Sequence, residues 1–274
     1  MKTRIITGAG YVVVMIAFFL LRELVNAKIF HILTGFLIVA GTMECARLVK
    51  GRSFKFVKTL AVCYAVAFFL TYLIVEWFLP TWGKVVAFDL TALVIVFLCV
   101  YSIVKKSTAD ELKYSVLPFV YPSLFLLTML CANDLRIHGF IILLLSFVIS
   151  PLSDTFAYFT GKLIGGKKLC PKISPKKTWA GAIGGTIGGA LGSLVVYLIV
   201  KPEINFFSPV LFFILIGLVA SVINIFGDLF ESLLKRRVGV KDSGKLLPGH
   251  GGVLDRIDGT MFVVPFLYLV FLLV

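Results

Sequence analysis

The feature that most constrains this chain is a series of long apolar stretches, because each is long enough to cross a lipid bilayer. A transmembrane helix needs about 20 consecutive apolar residues. Nine such stretches run near 5–21, 29–46, 59–79, 85–104, 114–132, 138–160, 179–200, 208–230 and 259–274. Only 15% of the residues are charged, whereas soluble domains carry about 25%. The sequence therefore excludes a soluble globular domain and predicts a polytopic membrane protein.

All nine stretches are predicted to be helices, since backbone polar groups in lipid must be paired within the segment. A transmembrane β-barrel would need alternating segments of about ten residues, and we find none in the sequence. The fold class is therefore all-α, a membrane helix bundle of about nine spans. We divide it into N-terminal helices, residues 1–135, and a C-terminal region, residues 136–274, which holds the two longest loops at 161–178 and 231–258.

The basic residues predict how the helices are oriented. Alternating spans place 22 of the 27 Lys and Arg residues on the side that holds the N-terminus, and the others are Arg22, Lys28, Lys84, Arg136 and Lys201. Cytoplasmic loops carry the excess of Lys and Arg, so the N-terminus should lie in the cytoplasm and the C-terminus outside. Both long loops are then cytoplasmic, and a soluble substrate should be met there.

Polar residues gather at the predicted cytoplasmic end of the eighth span. By their spacing, Asp228, Glu231, Ser232 and Lys235 share one face of a helix. An acid within a membrane helix costs about 3 kcal/mol on insertion scales and usually marks a functional path. A charge pair between Asp228 and Lys235 at the helix end is the structural alternative.

The loop after this span mixes glycines, bases and acids in the run from Lys241 to Asp258. Glycines let the backbone approach a ligand closely, and Lys and Arg side chains bind phosphates. Asp255 and Asp258 lie three residues apart, so a helical turn would direct both carboxylates the same way. Carboxylate oxygens facing bound phosphates are the usual magnesium arrangement. The mixture fits a metal–triphosphate complex better than a bare lipid surface.

The loop 161–178 offers a second candidate phosphate contact. The run Ser174–Thr178 places hydroxyl and ammonium groups just before a predicted helix start, and simple helix capping is the alternative. Gly161 to Lys167 fits the first part of a P-loop, but Lys168 stands where Ser or Thr is required and a helix precedes it, so we reject that interpretation. Glycines spaced by four after Trp179 indicate close helix packing rather than a nucleotide loop.

The run from Ser232 to Asp258 resembles the signature of the phosphatidate cytidylyltransferase (CDP-diacylglycerol synthase) family. The matching positions are Ser232, Lys235, Arg236, Lys241, Asp242, His250, Gly251, Gly252, Asp255, Arg256 and Asp258. Two earlier segments, Asp154–Tyr158 and Ser174–Trp179, also resemble motifs of this family. The chain departs from the family at Ala180, where the family usually has Glu. The N-terminal spans match only in being a bundle of membrane helices.

The resemblance implies a membrane nucleotidyltransferase of phospholipid biosynthesis that converts CTP and phosphatidate into CDP-diacylglycerol and pyrophosphate. It also implies Mg²⁺ as the cofactor, with a second cation left open. The predicted catalytic residues are Asp228, Asp255, Asp258, Lys235 and His250, and the three aspartates are the predicted metal ligands. The predicted substrate-binding residues are Ser174, Lys176, Lys177, Thr178, Ser232, Arg236, Lys241 and Arg256.

Two other functions are compatible with parts of the sequence. Another CTP-dependent membrane lipid transferase, such as a polyprenol kinase, would transfer the terminal phosphoryl group and release CDP. An ion-coupled transporter would place its acids near the middle of the membrane, often in two related halves, whereas here they cluster at the cytoplasmic edge of one half. We expect CTP, phosphatidate and membrane lipid as partners, a homodimer through membrane helices, and no nucleic acid.

Overall fold

The computed structural model describes residues 2–204, 206–244, 246, 249 and 251–274, with side chains from Thr7 onward. The described residues form nine α-helices and one two-stranded sheet, which confirms the predicted helix bundle. The helices are α1 (Lys2–Leu24), α2 (Ile29–Leu48), α3 (Val57–Phe78), α4 (Gly83–Lys105), α5 (Ala109–Asn133), α6 (Gly139–Leu163), α7 (Trp179–Val200), α8 (Pro209–Val238) and α9 (Leu254–Phe271). The strands are β1 (Lys168–Cys170) and β2 (Ser174–Thr178).

Within the described part of the chain, the eight helices α1 to α8 are long and apolar enough to cross a membrane, judged by length and composition. Helix α9 corresponds to the ninth predicted span but has only 18 residues, and it begins with Leu254-Asp255-Arg256. This charged first turn explains why α9 is not one of the eight. The orientation of the two termini stays a prediction.

The chain divides into two compact units. The first contains Met1–Cys131 and Val238–Arg256, and the second contains Ala132–Arg237 and Ile257–Val274. The division after Cys131 lies close to the predicted one after residue 135. Within the first unit, Ser243 and Leu254 of the segment Val238–Arg256 contact Glu44 of helix α2, as described below.

In the first unit, polar side chains of neighbouring helices pair with one another, since lipid offers them no partner. The Tyr64 hydroxyl lies 2.7 Å from Thr91 Oγ1 and links α3 to α4. Thr42 Oγ1 lies 3.0 Å from Ser123 Oγ and links α2 to α5. These contacts fix the helices around the buried side chain of Phe68 and its apolar neighbours.

In the second unit, helix α7 packs along α6 through a row of glycines. A Cβ atom at Gly181 would lie 2.8 Å from Ala157 O, and one at Gly185 would lie 2.9 Å from Ser153 O. Real Cβ atoms do not approach neighbours this closely, so only glycine permits the observed distance between the helices. This confirms the prediction that the glycines after Trp179 serve helix packing.

A β-hairpin occupies the loop 161–178, and the sequence analysis did not predict it. Lys168 pairs with Thr178 and Cys170 pairs with Ser174 in an antiparallel register. The Trp179 N–H donates to Lys167 O at 3.0 Å, which closes the hairpin against the start of α7.

Helix α8 extends beyond the predicted end of the eighth span at residue 230 and continues to Val238. Its last turn carries Lys235, Arg236 and Arg237, and positive charge there stabilises the negative end of the helix dipole. Gly239, with φ of +79°, terminates the helix in the left-handed conformation that glycine adopts readily. The predicted loop 231–258 therefore shortens to residues 239–253.

Candidate active site

Asp228 lies near the C-terminal end of helix α8 and contacts two other predicted site residues. Its Oδ1 accepts a hydrogen bond from the Ser232 hydroxyl at 3.2 Å. The Lys177 ammonium, on strand β2, lies 2.6 Å from Asp228 Oδ2, and about a quarter of each side chain is exposed. The structure therefore pairs Asp228 with Lys177, whereas the sequence suggested Lys235 as its alternative partner.

The hairpin contacts α8 at a second point, because Arg236 Nε donates to Ile173 O at 3.4 Å. At the other end of β2, Thr178 is buried and caps helix α7, since its Oγ1 accepts from the Gly181 N–H at 3.0 Å. The capping alternative is therefore correct for Thr178, and its contact with a substrate stays a prediction. Ser174 is partly exposed and Lys176 is exposed, so both are accessible to a ligand.

A second acidic position, Asp258, lies in helix α9. Its carboxylate interacts electrostatically with those of Asp228 and Asp154 and with the Lys235 ammonium. Helices α6, α8 and α9 thus each contribute one carboxylate to the same region of the second unit. We call Asp154, Asp228 and Asp258 the aspartate cluster. Neighbouring carboxylates repel one another unless positive charge compensates them, and the Lys177 and Lys235 ammonium groups supply such charge near Asp228 and Asp258.

Two glycines explain how α8 and α9 approach closely enough to form the cluster. A Cβ atom at Gly227 would lie 2.7 Å from Asp258 O and 3.0 Å from the Gly259 Cα. A Cβ atom at Gly259 would overlap the Asn224 side chain, with its Cγ only 2.6 Å away. Each glycine is adjacent in sequence to a cluster residue, so the close backbone contact positions both carboxylates.

Sequence reasoning did not assign Asp154 and Asn224 to the site. Asn224 is fully buried, and its Nδ2 donates to Asp154 Oδ1 at 2.9 Å. Both residues are polar and lie within predicted apolar spans, which is a general signal of function in membrane proteins. Asp154 also lies in one of the segments that resemble the family, which is a signal that could have placed it among the candidate residues.

Lys235 forms a buried ion pair on α8. Its ammonium lies 3.4 Å from Glu231 Oε1, and the Glu231 side chain is completely buried. A buried charge is tolerated when an opposite charge is close. Lys235 therefore balances the charge of Glu231 and also interacts electrostatically with Asp258, and its predicted role in catalysis stays a prediction.

In the first unit, Asp255 organises the loop that precedes α9. Its Oδ2 accepts from the Ser243 N–H at 2.9 Å, from Ser243 Oγ at 2.8 Å and from the Gly252 N–H at 2.8 Å. Gly251 has φ of +84°, and a Cβ atom there would lie 2.6 Å from Asp255 Oδ2. The two signature glycines are therefore required by the shape of the loop around Asp255.

The other described residues of this loop that match the family signature are exposed to solvent or lipid. Lys241 and Arg256 are exposed, and Asp242 is exposed as well. His250 lies outside the described residues, so its predicted role is not addressed by the structure.

Among the described residues, no group of three or more His, Cys, Asp or Glu side chains is arranged to hold a metal ion. Mg²⁺ usually keeps several water ligands and is bound by one or two carboxylates together with substrate phosphates. A preformed cage of three carboxylates is therefore not needed for this ion. The metal-ligand assignment of Asp228, Asp255 and Asp258 stays a prediction.

The fold and the site together define a polytopic membrane protein in which carboxylates and ammonium groups lie close together near the C-terminal end of helix α8. The chain belongs to the Cytidylyltransferase family, whose model matches residues 2–274.

Several curated proteins named phosphatidate cytidylyltransferase are similar to the chain. The one from Brucella abortus is 46% identical over 131 residues, which cover 48% of this chain and 47% of the relative. The one from Bacillus subtilis is 36% identical over 182 residues, 66% of each chain. The one from Thermotoga maritima is 47% identical over 120 residues, 43% of this chain and 44% of the relative. The matched part spans about half the length of the Brucella and Thermotoga relatives.

Proposed function

We propose that the protein is a membrane nucleotidyltransferase that joins CTP and phosphatidate into CDP-diacylglycerol and pyrophosphate. The observation that carries this proposal is the match of the Cytidylyltransferase family over residues 2–274. The names of the relatives from Brucella, Bacillus and Thermotoga support the choice of substrates. They favour this function over a polyprenol kinase and over an ion-coupled transporter.

In the proposed reaction, a phosphate oxygen of phosphatidate attacks the α-phosphorus of CTP and forms a P–O–P bond. The bond between the α-phosphorus and the oxygen that bridges to the β-phosphate breaks, and pyrophosphate leaves with that electron pair. A phosphomonoester is already ionised near neutral pH, since its second pKa is about 6. The main barrier is therefore the approach of two anions, which positive charge around the phosphates lowers.

The basic residues near the aspartate cluster supply this charge in the second unit. The Lys177 ammonium lies 2.6 Å from Asp228 Oδ2. Lys176, which precedes Lys177 on strand β2, and Arg236, on helix α8, are both exposed. We assign these three residues to the phosphates, with hydroxyl donors at Ser174 and Ser232. In the first unit, the exposed side chains of Lys241 and Arg256 have the same proposed role.

We propose Mg²⁺ as the cofactor, held by Asp228 and Asp258, with Asp255 as the third predicted ligand and a second cation left open. Carboxylate oxygens are preferred ligands of this ion, and the mutual repulsion within the aspartate cluster favours a cation there. The bound ion would neutralise charge on the triphosphate. Removal of divalent ions with EDTA should abolish turnover and added Mg²⁺ should restore it, whereas full turnover in EDTA would contradict the assignment.

We propose that the site faces the cytoplasm, which the excess of Lys and Arg on one side of the predicted spans supports. A C-terminal alkaline phosphatase fusion should then be active outside the cytoplasm. A reporter that functions only in the cytoplasm should be inactive at the same terminus, and its activity there would show that the span count is wrong.

The homodimer stays a prediction. The glycine row of α7 is already covered by α6, whereas Ile183, Ile187 and Leu191, spaced by four residues, are exposed. Copper-catalysed crosslinking of Ile187→Cys in a background without the natural cysteines tests pairing through this face. A crosslinked dimer in native membranes would support it, and monomers alone would contradict pairing through α7.

The test of the proposed function is turnover by the purified protein in lipid nanodiscs with a panel of nucleotides and lipids. With Mg²⁺ and phosphatidate, CTP or dCTP should give a nucleotide-linked lipid and pyrophosphate. Release of CDP with a phosphorylated lipid would instead indicate a kinase. The absence of any lipid product with an otherwise monodisperse protein would contradict the enzyme assignment.

A further inference from the structure

Glu44 is a buried acid in helix α2 that the predicted active site does not include. Its side chain is 2% exposed, and it lies within the last two turns of the helix. The described partners of its carboxylate are in the loop 239–253 and at the start of α9. Because an acid buried in a membrane protein is costly, these distant contacts call for an explanation.

The Glu44 carboxylate binds the N-terminus of helix α9. Its Oε2 accepts from the backbone N–H of Leu254, the first residue of that helix, at 3.0 Å across 210 residues of sequence. The first N–H groups of a helix have no partner within the helix, and a negative charge there is stabilised by the helix dipole. Glu44 therefore acts as the cap of α9, supplied by a different helix.

The same carboxylate oxygen reaches the middle of the loop. Ser243 Oγ lies 3.4 Å from Glu44 Oε2 and 2.8 Å from Asp255 Oδ2. A hydroxyl carries one proton, so it donates to one carboxylate at a time, and the shorter distance favours Asp255. Ser243 thus lies between the carboxylates of Glu44 and Asp255. Glu44 therefore contacts both Ser243 in the loop and Leu254 at the start of α9.

The loop backbone surrounds the Glu44 carboxylate so closely that side chains are excluded. A Cβ atom at Gly244 would overlap Glu44 Oε1 and lie 2.7 Å from its Cδ. A Cβ atom at Gly252 would overlap Glu44 Oε2 and the Ser243 hydroxyl. The backbone at Gly244 and at Gly252 therefore packs directly against this carboxylate, and no other described side chain accepts a hydrogen bond from the Leu254 N–H.

We propose that Glu44 is a positioning residue for the nucleotide-binding loop. It would hold the segment 239–256, and with it Lys241, Asp255 and Arg256, in the conformation that receives the triphosphate. The identity of the ligand rests on the proposed function, whereas the contact of Glu44 with the loop does not. Its consequence is specific, because loss of the Glu44 contact should weaken CTP binding while leaving phosphatidate use and the helix bundle largely intact.

Two near-isosteric variants separate the contact from simple packing. Glu44→Gln keeps an oxygen that can accept from the Leu254 N–H, whereas Glu44→Leu has similar volume and no acceptor. We expect Glu44→Leu to raise the KM for CTP by at least about tenfold, the size expected when a hydrogen bond to a charged acceptor is lost. The KM for phosphatidate should change little, and Glu44→Gln should stay within about threefold of the unsubstituted protein for both substrates.

Glu76 offers a matched control in the same unit. Its carboxylate also accepts two backbone N–H bonds, from Thr81 at 2.8 Å and Gly83 at 3.1 Å, and these belong to a different turn. Glu76→Leu should loosen that turn and leave the KM for CTP unchanged. Glu76 is partly exposed, and a general effect of losing a carboxylate that binds backbone N–H groups would change both variants alike.

Hydrogen–deuterium exchange of the full-length protein in detergent gives a readout that does not depend on activity. In Glu44→Leu, amides of the segment 239–256 should exchange at least about tenfold faster, while Glu76→Leu should affect only the segment around 79–84. If Glu44→Leu cannot be purified, Glu44→Asp, which withdraws the carboxylate by one methylene, should give the same pattern.

Unchanged exchange and an unchanged KM for CTP in a folded variant would overturn the proposal, as would uniformly faster exchange across the whole chain. If the unsubstituted protein does not use CTP at all, the proposed function fails, and the exchange pattern still decides whether Glu44 holds the loop.

Discussion

The close contact between helices α8 and α9 makes Gly259 a position where one added methyl group should disturb the aspartate cluster. A Cβ atom there would overlap Asn224 Oδ1, lie 2.6 Å from Asn224 Cγ and lie 3.2 Å from the Asn224 backbone oxygen. Asn224 is fully buried and its Nδ2 binds Asp154. In Gly259→Ala, either the helices must separate or Asn224 must give up its contact with Asp154, and both changes disturb the aspartate cluster.

The expected cost of this substitution is that of overpacking, about 1–3 kcal/mol. It is offset in part by the higher helix propensity of Ala, which is worth about 1 kcal/mol relative to Gly. We therefore expect a lower apparent melting temperature in detergent and, since the cluster residues move, a loss of turnover of at least about tenfold. The matched control is Gly10→Ala in α1, where a Cβ atom would meet nothing within 4 Å. That variant should keep normal turnover and melt at the same temperature or higher. Normal turnover and melting of Gly259→Ala would show that α8 and α9 do not pack as described.

Four further substitutions test the site residues. Asp228→Asn and Asp255→Asn should each reduce Mg²⁺-dependent turnover by at least about 100-fold, in line with a loss of about 3 kcal/mol of charge stabilisation. The purified variants should stay monodisperse. Near-normal turnover with an unchanged Mg²⁺ requirement would defeat the metal assignment. Lys177→Gln should reduce kcat/KM for CTP by a larger factor than Lys176→Gln, because, among the described contacts, Asp228 forms an ion pair with Lys177 and not with Lys176. Equal effects of the two variants in the same assay would contradict a special role of Lys177.

The architecture was predictable because it follows from hydropathy, and each of the nine apolar stretches corresponds to a helix in the described part of the chain. Helix packing by the glycines after Trp179 was also predictable, since small residues spaced by four are a general mark of close membrane helices. The end of α8 was not predictable from hydropathy, because its last turn carries charged residues and hydropathy does not distinguish a charged helical turn from a loop. Its stop at Gly239 depends on a φ of +79°, which the sequence permits but does not require.

The candidate site was predictable where its residues are close in sequence, and less so where distant segments meet. Asp228 and Ser232 lie one helical turn apart, and their contact follows from that spacing. The contact of Lys177 with Asp228 joins a hairpin to a helix, and the contact of Glu44 with Leu254 joins positions 210 residues apart. Periodicity carries no information on pairs of residues that are this distant in sequence, so neither contact was predictable.

The central claim is that the α-phosphorus of CTP passes to phosphatidate, and the fate of labelled phosphorus tests it most directly. Purified protein in nanodiscs would be incubated with Mg²⁺, phosphatidate and CTP labelled with ³²P either at the α or at the γ position. The account predicts that the α label appears in a lipid that co-migrates with CDP-diacylglycerol, and that the γ label appears in pyrophosphate in equal molar amount. A γ label in the lipid, with the α label in free CDP, would contradict the account and identify a kinase.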